Sequence, residues 1–475
     1  MLFNSIEFFL FLPLVFCLYW FVTNRNLRLQ NALIVLASYV FYGAWDWRFL
    51  GLIFLSSLID FLIGRRIGAL PEEAEQQQKW LLRLSLLVNL GLLGIFKYYN
   101  FFTDSLIVLL TNVGIEANFR TLHIILPVGI SFYTFQTLSY TIDIYRGKLE
   151  PTDDPVAFFA FVSFFPQLVA GPIERAKNLL PQFEKQRHFD FNEARNGMRQ
   201  MLWGFFKKIV IADNCEIFVG NVFADVAGSE PLHLLWAAFF FSIQIYCDFS
   251  GYTDIAIGTG RLFGFRLSPN FRYPYFATSM TTFWRKWHIS LTTWLMDYLY
   301  YPIALGLRKY GKIASLTAIF LTFTLSGLWH GAGFNFIWFG VIHALVLSVE
   351  FLTNEPRKKL GKLYPRVMNF IGWLTTMFFV GLASIFFRIE AMSDIGIYFK
   401  RLLSPQLINM PPNKQMLLIV VIFMLIEWLG RHQAYPIEQL KFSKTIRWGI
   451  YITIILAIVI LGDFSKKDSF IYFQF

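Results

Sequence analysis

Apolar runs of membrane-spanning length alternate with short basic loops along almost the whole chain. That pattern predicts helices that cross a bilayer. Before the last third the runs cover residues 6–22, 31–45, about 49–64 after a turn at 46–48, 80–96, 124–145, 156–170 and 233–247. In the last third they cover about 313–329, 334–352, 368–387, 414–430 and 446–462. Residues 101–113 are apolar but short and read as interfacial. The stretch from Met1 to Glu7 has no basic head, so the first run reads as a transmembrane helix rather than a cleaved leader. Basic residues fall between the runs, at Arg25 and Arg28, Arg65 and Arg66, 308–312, 357–366 and 431–447. Placing these loops in the cytoplasm puts both termini on the extracytoplasmic side and His330 toward the outer end of its helix. The expected fold is all-α: a polytopic membrane protein of about 10–12 helices, at roughly 20 residues per span, with re-entrant or interfacial helices between. No repeat or soluble insert interrupts the pattern, so a single membrane domain is expected over residues 1–475.

Composition supports this reading. The 475 residues are 56% hydrophobic and 19% aromatic, and only 15% are charged, against about 25% in soluble domains. The net charge of +11 sits in the loops, where it orients the chain. Nucleic acid is therefore not expected as a partner; lipid is. Cys17, Cys215 and Cys247 lie in or beside apolar runs without metal-ligand spacing and read as buried thiols. No metal site is expected.

The informative positions are those that break the apolar pattern. His330 ends one run inside Ser326-Gly327-Leu328-Trp329-His330-Gly331-Ala332-Gly333. A histidine at membrane depth is costly and suggests function. The competing reading is a helix-end histidine with Gly331 and Gly333 as cap and turn. Gly129, Tyr133, Gln136, Tyr140 and Asp143 fall on one helical face within 124–145, which suits either a cavity wall or hydrogen bonds between helices. Asp60, late in its run, should face protein. Gln244, Asp248 and Tyr252 recur at four-residue intervals, with Asp254 just beyond. Two carboxylates in apolar surroundings need partners, and Arg261, Arg266 and Arg272 are the nearest downstream cations. A structural ion-pair network is the plainer reading of that group. Residues 281–294 predict one amphipathic interfacial or re-entrant helix. Trp284, Trp287, Leu291, Trp294 and Tyr298 form its apolar stripe, Arg285 and Lys286 lie off it, and His288 sits one turn from Trp284. Residues 177–208 read as a basic amphipathic region on the cytoplasmic surface.

Which chemistry these residues can serve is narrowed by absence. The chain has no Gly-x-Ser-x-Gly elbow, no Walker motif and no Gly-x-Gly-x-x-Gly fingerprint. A neutral imidazole near pH 6.5 can accept a proton from a bound hydroxyl. The residues thus favour acyl transfer at a buried histidine, or no chemistry at all. A transporter or flippase would also use broken helices and intramembrane carboxylates, but it predicts inverted repeats, and none is visible. A catalytically inert scaffold for an extracytoplasmic enzyme is a further alternative.

Four stretches in order carry a resemblance. They are Pro127-Val128-Gly129-Ile130-Ser131-Phe132-Tyr133-Thr134-Phe135-Gln136, Phe164-Phe165-Pro166-Gln167-Leu168-Val169-Ala170-Gly171-Pro172-Ile173, Phe283-Trp284-Arg285-Lys286-Trp287-His288-Ile289-Ser290 and the His330 motif. With the terminal Phe470-Ile471-Tyr472-Phe473-Gln474-Phe475, the chain resembles the membrane-bound O-acyltransferase family, in its bacterial alginate O-acetyltransferase branch. The resemblance implies that His330 is the essential histidine and His288 a supporting one. It implies a ring of irregular helices around a tunnel. Gln136, Tyr140, Asp143, Asp248, Asp254, Trp284, Arg285 and Trp329 are then candidate tunnel or support residues. No tightly bound cofactor is implied. The co-substrate would be an acyl thioester, acetyl-CoA by analogy, presented from the cytoplasm. The acyl group would pass to a hydroxyl of an extracytoplasmic polysaccharide such as alginate, or to a periplasmic acetyltransferase-like partner protein. The enzyme would sit in the inner membrane. D-alanyl transfer and peptidoglycan-directed transfer are the alternatives within the family.

Overall fold

The structure is a computed structural model that describes residues 1–115, 124–169, 171–404 and 414–462. The terminal Phe470–Phe475 stretch and Ala170 of the second motif lie outside the described residues. Among the described residues all regular structure is helical. Among the described residues, seven helical stretches are long and apolar enough to cross a membrane: Leu27–Ala69, Glu72–Asn112, Pro231–Leu262, Lys312–His330, Phe334–Leu352, Pro365–Arg388 and Lys444–Leu461. Large apolar side chains stand exposed along them, as lipid solvent permits: Leu90, Phe370 and Ile460 are examples. The chain forms two compact units. One comprises Met1–Met198 with Ala256–Ser268, the other Arg199–Ile255 with Pro269–Phe475.

In the first unit the polar residues join helices. Asp60 is fully buried and accepts from Ser85 Oγ at 2.6 Å and Asn89 Nδ2 at 2.8 Å, as its position late in the run suggested. The helix of the polar stripe begins later than Pro127. Gly129 adopts φ +76, and the helix runs from Ile130 to Tyr145. At 16 residues it is short for a span of about 20, and 14 of those residues are buried. It is a short internal helix rather than the full span expected over 124–145, and its polar stripe faces other helices. Gln136 donates to the Phe161 carbonyl (2.7 Å) and accepts from Gln167 (2.8 Å), while the Tyr140 hydroxyl accepts from the Thr152 backbone (3.3 Å).

Within the second unit, helices Lys312–His330 and Phe334–Leu352 form an antiparallel hairpin. They cross where Gly327 faces Gly340. A methyl group at Gly327 would overlap the Phe336 carbonyl, and one at Gly340 would overlap the Phe323 carbonyl. The two backbones therefore touch there, and helix Pro365–Arg388 packs beside the hairpin.

Two expected elements differ. Residues 281–294 are not one helix. They form Met280–Trp284 and Ile289–Leu295 with a break at 285–288. The break is held from outside, because Arg272 N donates to the Lys286 carbonyl (2.9 Å) and Ile289 N to the Asn270 carbonyl (2.8 Å), competing with helical bonds. Residues 177–208 are not a surface segment throughout. Lys207 and Lys208 at its end are buried in π-helical turns spanning Phe206–Ala212.

Candidate active site

His330 is the last residue of its helix. Gly331 (φ −162) and Gly333 (φ −166) leave it in extended conformation, so no left-handed cap is formed. Space explains these glycines. A Cβ at Gly331 would overlap the Phe336 ring, and one at Gly333 the Asn335 side chain. His330 is 3% exposed. Its ring makes edge contacts with Trp329 (5.0 Å between centroids), Phe387 (5.4 Å) and Phe339 (5.6 Å).

The imidazole lines a small, partly open cavity. Its walls are mostly Ile245, Phe283, Trp284, Trp287, Phe339, Val380 and Phe387. The lining hydroxyls donate within the protein. Ser242 Oγ donates to the Ala238 carbonyl (3.0 Å), Tyr275 to the Ser242 carbonyl, and Ser384 Oγ to the Gly381 carbonyl (2.7 Å). A second histidine, His343, lines the same cavity.

Trp284 reaches the cavity because its short helix is gripped by Phe334–Leu352. Glu350 accepts from the backbone N–H groups of Met280 (2.7 Å) and Thr281 (3.0 Å), satisfying the orphan donors of the helix start, and pairs with Arg357 (3.2 Å). Two turns earlier on the same face, His343 Nδ1 accepts from Trp284 Nε1 (3.4 Å). The sequence reading missed His343 and Glu350. The criterion that singled out His330, an ionisable residue inside an apolar run, applies equally to both.

His288 occupies the break before Ile289–Leu295. Its φ is +42, a left-handed conformation uncommon outside glycine, and its side chain is fully buried. Asn270 Oδ1 lies 3.1 Å from His288 Nδ1, and accepts from Ser290 N at 3.2 Å and Ser290 Oγ at 2.8 Å. A backbone N–H can only donate, so the Ser290 contact fixes this atom of Asn270 as the oxygen. His288 Nδ1 must then be the donor, which leaves the neutral ring's lone pair on Nε2. His288 does not line the cavity. Its ring meets Trp329 at 5.8 Å, so Trp329 touches both expected histidines. The structure thus brings His330 and Trp284 to one cavity, with His288 reached through Trp329. Arg285 is exposed and away from the lining.

Asp248 and Asp254 are paired, but not by the downstream arginines. Lys208 Nζ sits 2.8 Å from Asp248 and 2.7 Å from Asp213; Lys207 Nζ sits 2.6 Å from Asp254 and 2.9 Å from Ser250 Oγ. Gln200 also donates to Asp254 (2.8 Å). Arg266 instead pairs with Glu193 on the exposed surface of the other unit. The lysines reach the carboxylates because two helices touch at Gly204 and Gly251, where a Cβ at either would come within 2.6 Å and 2.8 Å of the other's carbonyl oxygen. These groups form a buried ion-pair network. In the first unit, the bonds of Gln136 and Tyr140 tie their helix to its neighbours, and Asp143 is buried on the same helix.

Residues 152–386 match the sequence profile of the membrane-bound O-acyltransferase family. A "Probable alginate O-acetylase" of Pseudomonas putida is 35% identical over 508 aligned positions, covering 100% of both chains. A protein of the same description from Pseudomonas aeruginosa is 42% identical over 395 residues, covering 82% of this chain and 72% of its own. A peptidoglycan O-acetyltransferase of Helicobacter pylori is 35% identical over 425 residues, covering 83% and 78%.

Proposed function

The chain belongs to the membrane-bound O-acyltransferase family and is a multi-pass membrane O-acyltransferase, and we propose that it moves an acetyl group from a cytoplasmic thioester, acetyl-CoA, to a hydroxyl of an extracytoplasmic polysaccharide. The observation that carries this reading is a buried histidine, His330, at the end of a span and lining an apolar cavity. In such a site a neutral imidazole is the group suited to take a hydroxyl proton. The apolar walls keep water from competing for the thioester.

In the proposed step the acceptor oxygen attacks the thioester carbonyl carbon and its proton passes to His330. The carbonyl re-forms as the C–S bond breaks, and the thiolate takes the proton from His330. His288 is a positioning residue in this scheme, acting on the site through Trp329. The acceptor proposed first is alginate, after the two Pseudomonas relatives. Peptidoglycan is the second reading, carried by the Helicobacter relative. We further propose an inner-membrane location with both termini outside, following the basic loops, and a periplasmic acetyltransferase-like partner that completes delivery. A transporter of the same shape would still move its substrate without His330.

The test is the ester-linked acetate in exopolysaccharide and in peptidoglycan from cells with wild-type protein or His330→Ala at equal abundance. Loss of acetate from one polymer is expected and names the acceptor. Unchanged acetate in both refutes the reading.

A further inference from the structure

His343 is the second imidazole of the cavity that holds His330. Both rings make edge contacts with Phe339, His330 at 5.6 Å and His343 at 4.7 Å between centroids. The hairpin that carries them is locked by the Gly327–Gly340 contact. Their placement is therefore a property of the rigid part of the unit.

The protonation state of His343 follows from its partner. An indole N–H can only donate, so Nδ1 of His343 must be a bare acceptor, and an imidazolium is excluded while that bond is made. The proton sits on Nε2. Among the described residues no hydrogen bond involves this Nε2. Ser242, Tyr275, Ser384 and Trp284, the other polar groups in the wall, donate into the protein. Trp287 is the one further indole in the lining and stacks on Phe283 at 5.5 Å. The cavity thus pairs a histidine able to accept a proton with a histidine held as a neutral donor.

We propose that His343 is a catalytic residue whose Nε2–H receives the carbonyl oxygen of the acyl group as charge builds on it. The proposal rests on the acyl-transfer reading above. When the acceptor oxygen forms its bond to the carbonyl carbon, the π pair moves onto the carbonyl oxygen and the hydroxyl proton goes to His330. The Nε2–H hydrogen bond shortens against that oxygen without transferring its proton. When the C–S bond breaks, the pair returns to re-form the carbonyl and the bond relaxes. Trp284 is a positioning residue in this scheme. By occupying Nδ1 it keeps His343 from becoming a competing base. In a low-dielectric cavity such a donor contributes chiefly to the transition state.

The experiment uses full-length protein in detergent with acetyl-CoA and an alginate oligosaccharide, measuring kcat, KM and the pH profile. His343→Phe is expected to lower kcat by roughly 10²–10³-fold, the usual loss for one oxyanion donor, with KM for acetyl-CoA little changed. His343→Gln, which keeps an N–H at similar reach, is expected to fall between. Trp284→Phe frees Nδ1 and should add a new ionisation to the acidic limb of the profile. Wild-type turnover in His343→Phe overturns the proposal. So does an unchanged pH profile in Trp284→Phe, which decides the matter if the His343 variants do not fold. A large kcat loss in Trp287→Phe with none in His343→Gln assigns the donor to Trp287 and also overturns it. His330→Ala is run in parallel. If wild type neither acetylates the oligosaccharide nor consumes acetyl-CoA, the acyl-transfer reading itself fails. If His330→Ala alone is inactive, only the role of His343 falls.

Discussion

Asn270→Ala is the most informative substitution away from the cavity. Asn270 Oδ1 takes hydrogen bonds from His288 Nδ1, Ser290 N and Ser290 Oγ, and all three residues are buried. Leaving a buried donor without its acceptor costs about 1–3 kcal/mol. The Ser290 hydroxyl can rotate toward another acceptor, so its share is discounted. The two remaining donors give about 2–6 kcal/mol. His288 also sits at φ +42, a conformation costing roughly 1–2 kcal/mol for a non-glycine residue, and the Asn270 side-chain contacts add to the backbone bonds that hold it there. Once they are lost, the backbone bonds of Arg272 and Ile289 still hold the break, but the imidazole loses its anchor at Nδ1 and shifts against Trp329. A displacement of that size near a reacting centre costs roughly 10²-fold in rate. Asn270→Asp keeps the acceptor oxygen and should retain the fold. The assay is the thermal melt of the detergent-solubilised protein beside acyl-transfer turnover. Asn270→Ala should melt several degrees below Asn270→Asp and turn over far more slowly. A melt equal to wild type with turnover within about twofold would show that His288 is held by packing alone and refute the argument.

Two further predictions follow from the buried contacts. Lys208→Met leaves Asp213 and Asp248 buried without their shared cation and should destabilise the protein by about 3–5 kcal/mol. The triple change Lys208→Met, Asp213→Asn and Asp248→Asn removes the charges together and should recover most of that loss in the same melt; equal melts for both would show that the cluster is solvated. Gly327→Ala forces a methyl group into the Phe336 carbonyl and should cost about 1–3 kcal/mol, as overpacking does. It should depress turnover as well, because His330 and His343 ride on the two helices it separates; unchanged turnover in a folded variant would count against a locked hairpin.

The hydrophobic pattern located the hairpin to within a residue or two. Runs at 313–329 and 334–352 correspond to Lys312–His330 and Phe334–Leu352. It also singled out His330 and Trp284, because each breaks an apolar stretch or anchors its stripe. Long-range contacts were not legible. The stripe from Trp284 to Tyr298 is periodic enough to predict one helix, and only the backbone bonds from Arg272 and to Asn270 split it. Asn270 itself lies in an irregular stretch with no period to mark it. Lys207 and Lys208 end a basic segment and read as solvated, since nothing in their neighbourhood announces that Gly204 will touch Gly251 some 47 residues away. Residues that meet through a glycine contact leave no mark on either local pattern.

The left-handed backbone at His288 changes how any substitution there is to be interpreted. Histidine, asparagine and aspartate visit this conformation several-fold more often than other side chains, and glycine enters it without strain. Alanine does neither. An alanine scan at this position therefore measures two quantities at once, the loss of an imidazole and the expense of bending a chain that no longer favours the bend. Asparagine and glycine are the proper baselines. The difference between alanine and those two isolates the backbone, and what remains belongs to the ring.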